Sequence, residues 1–378
     1  MRFLPTLPAL SVRCLGVVVL SAAVALSQTT LTVPNTIVTA PSTAQFVSGA
    51  QGLDAPKVHP VNATTFDWWY FDAVSTDSKE SVVIVFYMST SLGFPFRLPG
   101  AAISVDIFVS FADGSLLFYP INSLPGSLGS ATVVSEGQGA SGVWRNSGFS
   151  FDGENDLSRY TVTIDNPLLG VKGTLVLDSV APAHYPCDPL GPGADLEVSP
   201  HIGWANAIPD ANATADFIVS GRKLQFDGYG YHDKNWADQP FAANVHSWYW
   251  GHGRLGPYSI VWFDVVGADG NEYISSYAAL NGQIIATSCS PGSIRVRPTG
   301  RNSRYPPVIT SGNPDGFRID LDLGAAHGGM LTVNVTTTLA VSDVILYTRW
   351  IGTMKGSVSG GPIYSGIALY EAFKMSAV

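Results

Sequence analysis

"YSIVWFDVVGADGNEYISSYAALNG" (residues 258–282) decides the fold class. Two runs rich in β-branched and aromatic residues, 258–266 and 272–280, flank Asp269-Gly270, and the second run ends at Asn281-Gly282. Both dipeptides suit the backbone of a tight hairpin turn, so the stretch reads strand, turn, strand, turn. The same period-two signal recurs outward in both directions. "SVVIVFYMS" (81–89), "AISVDIFVSF" (102–111), "RYTVTID" (159–165), "KGTLVLD" (172–178), "LTVNVTTTLAV" (331–341) and "SGIALYEAF" (365–373) lie between Gly, Pro and Asp-Gly punctuation. Asp113-Gly114 joins another such pair. Past the first residues of the chain no segment sustains a 3.6-residue period. The expectation is an all-β protein, with 378 residues divided between two β-barrel or β-sandwich domains, 28–238 and 239–378.

The first 27 residues have the layout of a secretory signal peptide: Arg2, an apolar run from Leu15 to Leu26, and a small-residue site at Ala25-Leu26-Ser27. The run is shorter than the roughly 20 residues needed to cross a bilayer, so a cleaved leader without stable membrane insertion is expected. Asn62, Asn212 and Asn334 open N-glycosylation sequons, which fits a secreted or lumenal protein. Beyond the leader stand two cysteines, Cys187 and Cys289. In an oxidising compartment one bridge is their simplest arrangement, and sequence alone leaves two free thiols equally open. The formal charge of −9 excludes nucleic acid as a partner class. Charged residues at 13% and aromatics at 11% indicate extensive apolar interior surface. The Pro/Gly-rich stretch "APAHYPCDPLGPGADLEVSP" (181–200) reads as a lid or a linker.

Three segments carry residues suited to chemistry. In "DWWYFD" (67–72), alternation puts Trp68, Tyr70 and Asp72 on one face and Asp67, Trp69 and Phe71 on the other. In "HSWYWGHGR" (246–254), His246, Trp248, Trp250 and His252 share a side, and nearby Trp262 and Asp264 share another. In "GYGYHDKNWADQP" (228–240), Gly228 and Gly230 permit close backbone approach, and His232, Asp233, Asn235 and Trp236 can donate, accept or stack. Each segment also has a plain structural reading: a half-buried strand with terminal aspartates, core packing with edge histidines, and a polar connector plugged by Trp236. "GQGASG" (137–142) and "GHGRLG" (251–256) match a dinucleotide-binding pattern, yet neither opens a helix. No zinc-spaced cysteine pair, H-E-x-x-H or G-x-S-x-G is present. No cofactor or metal is expected.

"DWWYFD" followed much later by "GYGYHDKNW" resembles the paired signature of the hydroxyneurosporene synthase (carotenoid hydratase)-like superfamily. Its secreted fungal members include Diels–Alderases, among them the hetero-Diels–Alderases that make tropolone sesquiterpenoids. The resemblance covers about Ser48 to Met375 and implies two lipocalin-like β-domains with a ligand pocket at their junction. It implies Trp68, Asn235 and Trp236 as substrate-binding candidates, to which the strand alternation adds Trp248, Trp250, Trp262 and Asp264. Tyr70, His232 and His246 would be donors to a developing oxyanion, and Asp72 or Asp233 acids for dehydration. Some relatives carry glutamate at the position of Tyr70 and use it against an acidic polyketide head group, so the tyrosine implies a different substrate. A cycloaddition requires two partners held in one orientation and no cofactor. The implied reaction joins a tropolone-derived ortho-quinone methide to a humulene-type terpene. Decalin formation on a polyketide, hydration or dehydration of an isoprenoid, and simple carriage of a hydrophobic ligand are the alternatives.

Overall fold

The computed structural model describes Met1, residues 28–122 and residues 126–377. The leader expected over residues 1–27 therefore lies, Met1 apart, outside the described residues. The rest folds almost wholly into two large, curled antiparallel sheets. The first has 13 strands and runs from Thr29–Asn35 at one edge to Leu116–Asn122 at the other. The second has nine, from Gln283–Ser288 to Ile294–Thr299. Among the described residues the helical pieces are single turns, Phe241–Asn244 and Ala325–His327. The first of these sits where the chain passes from one sheet to the other. The hairpin turns form as their dipeptides predict: Asn281 and Gly282 have φ of 50° and 78°, and Gly114 and Gly270 have 81° and 79°.

Among the described residues three large apolar cores result, with a small fourth at Val74, Val341 and Ile351. The first sheet curls around Trp69, Phe71, Phe86, Trp144 and Tyr160. The second curls around Trp262, Phe317, Trp350 and Tyr370. A third core fills the space between the sheets, with Trp68, Tyr70, Trp204, Tyr231, Trp248, Trp250 and Phe263. Strands beside this third core are covered on both faces. Phe66–Ser75, Ser81–Ser89 and Tyr258–Gly267 are buried along their whole length. That double burial explains why their sequences read as near-continuous apolar runs.

The stretch 181–200 is a strap across the two sheets. The Tyr277 hydroxyl donates to the Pro182 carbonyl at 2.8 Å, and the His184 ring stacks on Tyr277 with centroids 4.1 Å apart. Cys187 is bridged to Cys289 with Cα atoms 4.9 Å apart. Of the sequon asparagines, Asn212 and Asn334 are exposed on strands, whereas Asn62 is half-buried and donates to the Ala40 carbonyl.

Candidate functional site

The two motifs that are far apart in sequence are hydrogen-bonded neighbours. Strand Phe66–Ser75 pairs antiparallel with Arg222–Ala237, placing Trp68 opposite Asn235, Tyr70 opposite Asp233 and Asp72 opposite Tyr231. On the alternate positions Asp67 faces Trp236, Trp69 faces Lys234 and Phe71 faces His232. Because a strand alternates with period two, the first set points into the space between the sheets and the second into the core of the first sheet.

The space between the sheets holds a cavity of about 400 Å³. The first sheet contributes Trp68, Tyr70, Tyr87, Phe108, Asp233 and Asn235, and the second contributes Trp248, Trp250, Tyr347, Arg349, Glu371 and Phe373. Phe94, Phe96 and Arg97 come from the loop after Ser81–Ser89. The aromatic rings brace one another edge-on: Trp248 lies 4.9 Å from Phe373, Tyr70 5.3 Å from Trp250, and Phe94 5.2 Å from Phe241. The rim at Leu116, Phe118 and Val344 is apolar and exposed. The cavity therefore presents rigid hydrophobic walls with a few polar groups set into them.

Most of those polar groups are paired within the protein. Arg97 grips Asp106 through both guanidinium ends, one at 2.9 Å, and stacks 3.7 Å from the centre of the Tyr87 ring. Glu371 accepts from the Tyr347 hydroxyl at 2.6 Å and the Trp248 indole at 3.2 Å, with Arg349 Nη2 at 3.4 Å. Burial pushes the Glu371 carboxyl up against the pull of Arg349. Asp72 accepts from the Tyr70 hydroxyl at 2.9 Å and lies 2.9 Å from His252 Nε2. Asp233 accepts two bonds on Oδ2, from the Tyr231 hydroxyl at 2.7 Å and the Trp204 indole at 2.8 Å. Burial nevertheless holds its carboxyl well above the usual carboxylate range, and the charges of Glu371 and Asp72 push the same way.

The opposite face of the same two strands is a buried polar clamp. His232 donates from Nδ1 to the Tyr70 carbonyl, approaches Asp54 at 3.1 Å through Nε2, and stacks on Phe71. Lys234 meets Asp67 at 2.9 Å, donates to the Ala55 carbonyl and lies 4.0 Å from the centre of the Trp69 ring. Trp236 donates to the Gln45 carbonyl. Lys57 donates to the Gly52 carbonyl and Gln45, and burial together with Lys234 pushes its ammonium down to about 7. These bonds anchor the segment 45–67 against the sheet.

The structure thus gathers Trp68, Tyr70, Asp233, Asn235, Trp248 and Trp250 around the cavity, and places the other expected residues elsewhere. Asp72 reaches it only through Tyr70, since it is fully buried behind that ring. His232 and Trp236 belong to the clamp because alternation turns them away. His246 sits at a bulge between Val245 and Ser247, which takes it out of the alternation shared by Trp248 and Trp250. Trp262 packs in the core of the second sheet. Asp264 accepts there from Tyr305 and Arg297, its carboxyl pushed up to about 8 by burial. Sequence reasoning passed over Arg97, Asp106, Arg349 and Glu371. Each is a charge within or beside an apolar run, as in "ISVDIFVS" and "SGIALYEAF", and a lone charge in a strand buried on both faces is itself a signal.

A family model described as Diels-Alderase-like matches residues 25–295. The quinolone epoxide rearrangement protein asqO of Emericella nidulans is 40% identical over 359 residues, 94% of this chain and 96% of that one. The quinolone epoxide rearrangement protein penF of Penicillium thymicola is 42% identical over 336 residues, 87% of this chain and 90% of that one. The crystal structure of CghA with Sch210972 superposes with a TM-score of 0.73 at 18% identity, covering 92% of this chain and 99% of that one.

Proposed function

The chain belongs to the Diels-Alderase-like family, and from that premise we propose that it is a cyclase-type isomerase that opens and rearranges an epoxide on a small hydrophobic substrate of fungal secondary metabolism. The observation that carries this reading is the carboxyl of Asp233, buried in the wall of an aromatic cavity and held above the usual carboxylate range by that burial. With Oδ2 occupied by the donors Tyr231 and Trp204, the acid proton resides on Oδ1. It passes to the epoxide oxygen as one C–O bond breaks, leaving a carbocation and an alcohol. A substituent then migrates to the cationic carbon with its electron pair. The O–H proton returns to the Asp233 carboxylate as the carbonyl forms, so the net change is an isomerisation. The faces of Trp68, Trp248 and Trp250 stabilise positive charge, and the dry walls keep water from capturing it.

The finer reading from the sequence is an intermolecular hetero-Diels–Alder union of a tropolone-derived ortho-quinone methide with a humulene-type sesquiterpene. It would use the same cavity, with Asp233 assisting dehydration. The names of the 40–42% identical relatives favour the rearrangement instead. The Cys187–Cys289 bridge supports our placing the protein in an oxidising, secretory compartment.

The test incubates the purified protein with an epoxide-bearing aryl quinolone and, separately, with a hydroxymethyl tropolone plus humulene, followed by chiral chromatography against protein-free controls. A rearranged carbonyl isomer supports the proposal. A stereochemically enriched cycloadduct with no epoxide turnover transfers support to the hetero-Diels–Alder reading. A diol points to hydration, and recovery of both substrates unchanged to simple carriage.

A further inference from the structure

Arg349 lies on strand Tyr347–Val358 of the second sheet and lines the cavity from the side opposite the Asp233 strand. It is 3% exposed, and burial does not discharge it, because Tyr347, Tyr70 and Glu371 hold its pKa above the usual arginine value. Its one anionic contact is the 3.4 Å approach of Nη2 to Glu371. Nε and Nη1 have no hydrogen-bond partner among the described residues. A buried cation with unmet donors is costly, and its cost is recovered when a ligand supplies the acceptor. The guanidinium carbon lies 4.7 to 5.3 Å from the ring centres of Phe108, Tyr70 and Tyr347.

Resting on the reading of this cavity as the substrate site, we propose that Arg349 is a specificity-determining residue that hydrogen-bonds the ring carbonyl of a planar lactam. Three features select that class. The two free donors require an oxygen acceptor. The contact with Glu371 engages only Nη2, so the rest of the guanidinium can attract an electron-rich oxygen. A full carboxylate would be expensive to strip of water, whereas a conjugated amide oxygen carries partial negative charge at a much smaller desolvation cost. The flanking rings suit a flat heterocycle beside the guanidinium.

Binding is measured by quenching of the cavity tryptophans with two probes, an aryl 2-quinolone and the corresponding arylnaphthalene, which has neither the carbonyl nor a ring nitrogen that accepts. The wild-type protein should bind the lactam roughly 10- to 100-fold more tightly, as expected for hydrogen bonds to a charged donor. Arg349→Met should erase that preference. Equal wild-type affinities, or a preference that survives in Arg349→Met, would overturn the proposal. If Arg349→Met does not fold, Arg349→Lys keeps the charge with a different donor array and should lower the preference; an undiminished preference refutes it. Epoxide turnover is scored separately by product analysis, so a rearrangement without lactam preference sinks this inference alone, and a lactam preference without turnover sinks only the reaction.

Discussion

At the scale of single residues, the molecule uses burial to set protonation. Asp233 is useful while it keeps its proton, and because burial raises its pKa, activity should extend to higher pH than an ordinary carboxylic acid would allow and fall as pH rises through that pKa. Asp233→Asn retains the shape and removes the acid, so kcat should drop by about 10² to 10⁴ with substrate binding little changed. Rate–pH profiles of the two proteins check both statements. Lys57 works in the opposite sense. Its folded pKa of about 7 lies below the ordinary lysine value of 10.5, so the unfolded chain binds more protons between those values. Stability should therefore rise with pH across that window and be lost as pH falls toward 7. Urea melts from pH 7 to 10 should show the rise, and Lys57→Met should flatten it. Neither residue could be ranked from sequence. Asp233 was legible as a candidate from its polar motif, but its raised pKa comes chiefly from burial, with Glu371 and Asp72 brought near by folding adding to it. Lys57 stands in an unremarkable "APKVH" (55–59) and acquires its role from Lys234, far along the chain.

At the scale of strands, the paired motifs form one ladder with two uses. Alternation in "DWWYFD" was readable from sequence and holds in the structure: Trp68 and Tyr70 face the cavity, Trp69 and Phe71 the first core. In "GYGYHDKNW" the same rule splits the motif between cavity and clamp, a division that needs the pairing register to be known. Gly228 shows how close that pairing is. A Cβ there would stand 2.0 Å from the Val74 carbonyl, so Gly228→Ala should destabilise by about 1 to 3 kcal/mol through a forced backbone shift, measurable as a lowered urea midpoint. The clamp predicts a larger loss. Lys234→Met leaves Asp67 buried without its cation and should cost about 3 to 5 kcal/mol in the same melts. The bulge at His246 carries no sequence mark, which is why a four-residue aromatic wall read from "HSWYWGHGR" begins in the structure at Trp248.

At the scale of the whole molecule, the all-β class and the pocket between two β-units followed from period-two runs and the family resemblance; the strap did not. A Pro/Gly-rich stretch reads as a lid or a linker, and the bridge expected between Cys187 and Cys289, 102 residues apart, is what ties it down. Closing a loop of that length restricts the unfolded chain by an amount equivalent to about 4 to 5 kcal/mol. Reduction, or paired Cys187→Ala and Cys289→Ala replacement, should lower stability by up to that much in denaturant titrations. The cavity itself has a consequence for descent and engineering. Its acid stands on a strand ending at Ala237, whereas Arg349 and Glu371 stand on strands after Met330. On the roles proposed above, the proton donor and the lactam contact lie in separable stretches of the chain. A chimera that takes its C-terminal sheet from a relative would exchange the ligand while keeping the proton donor.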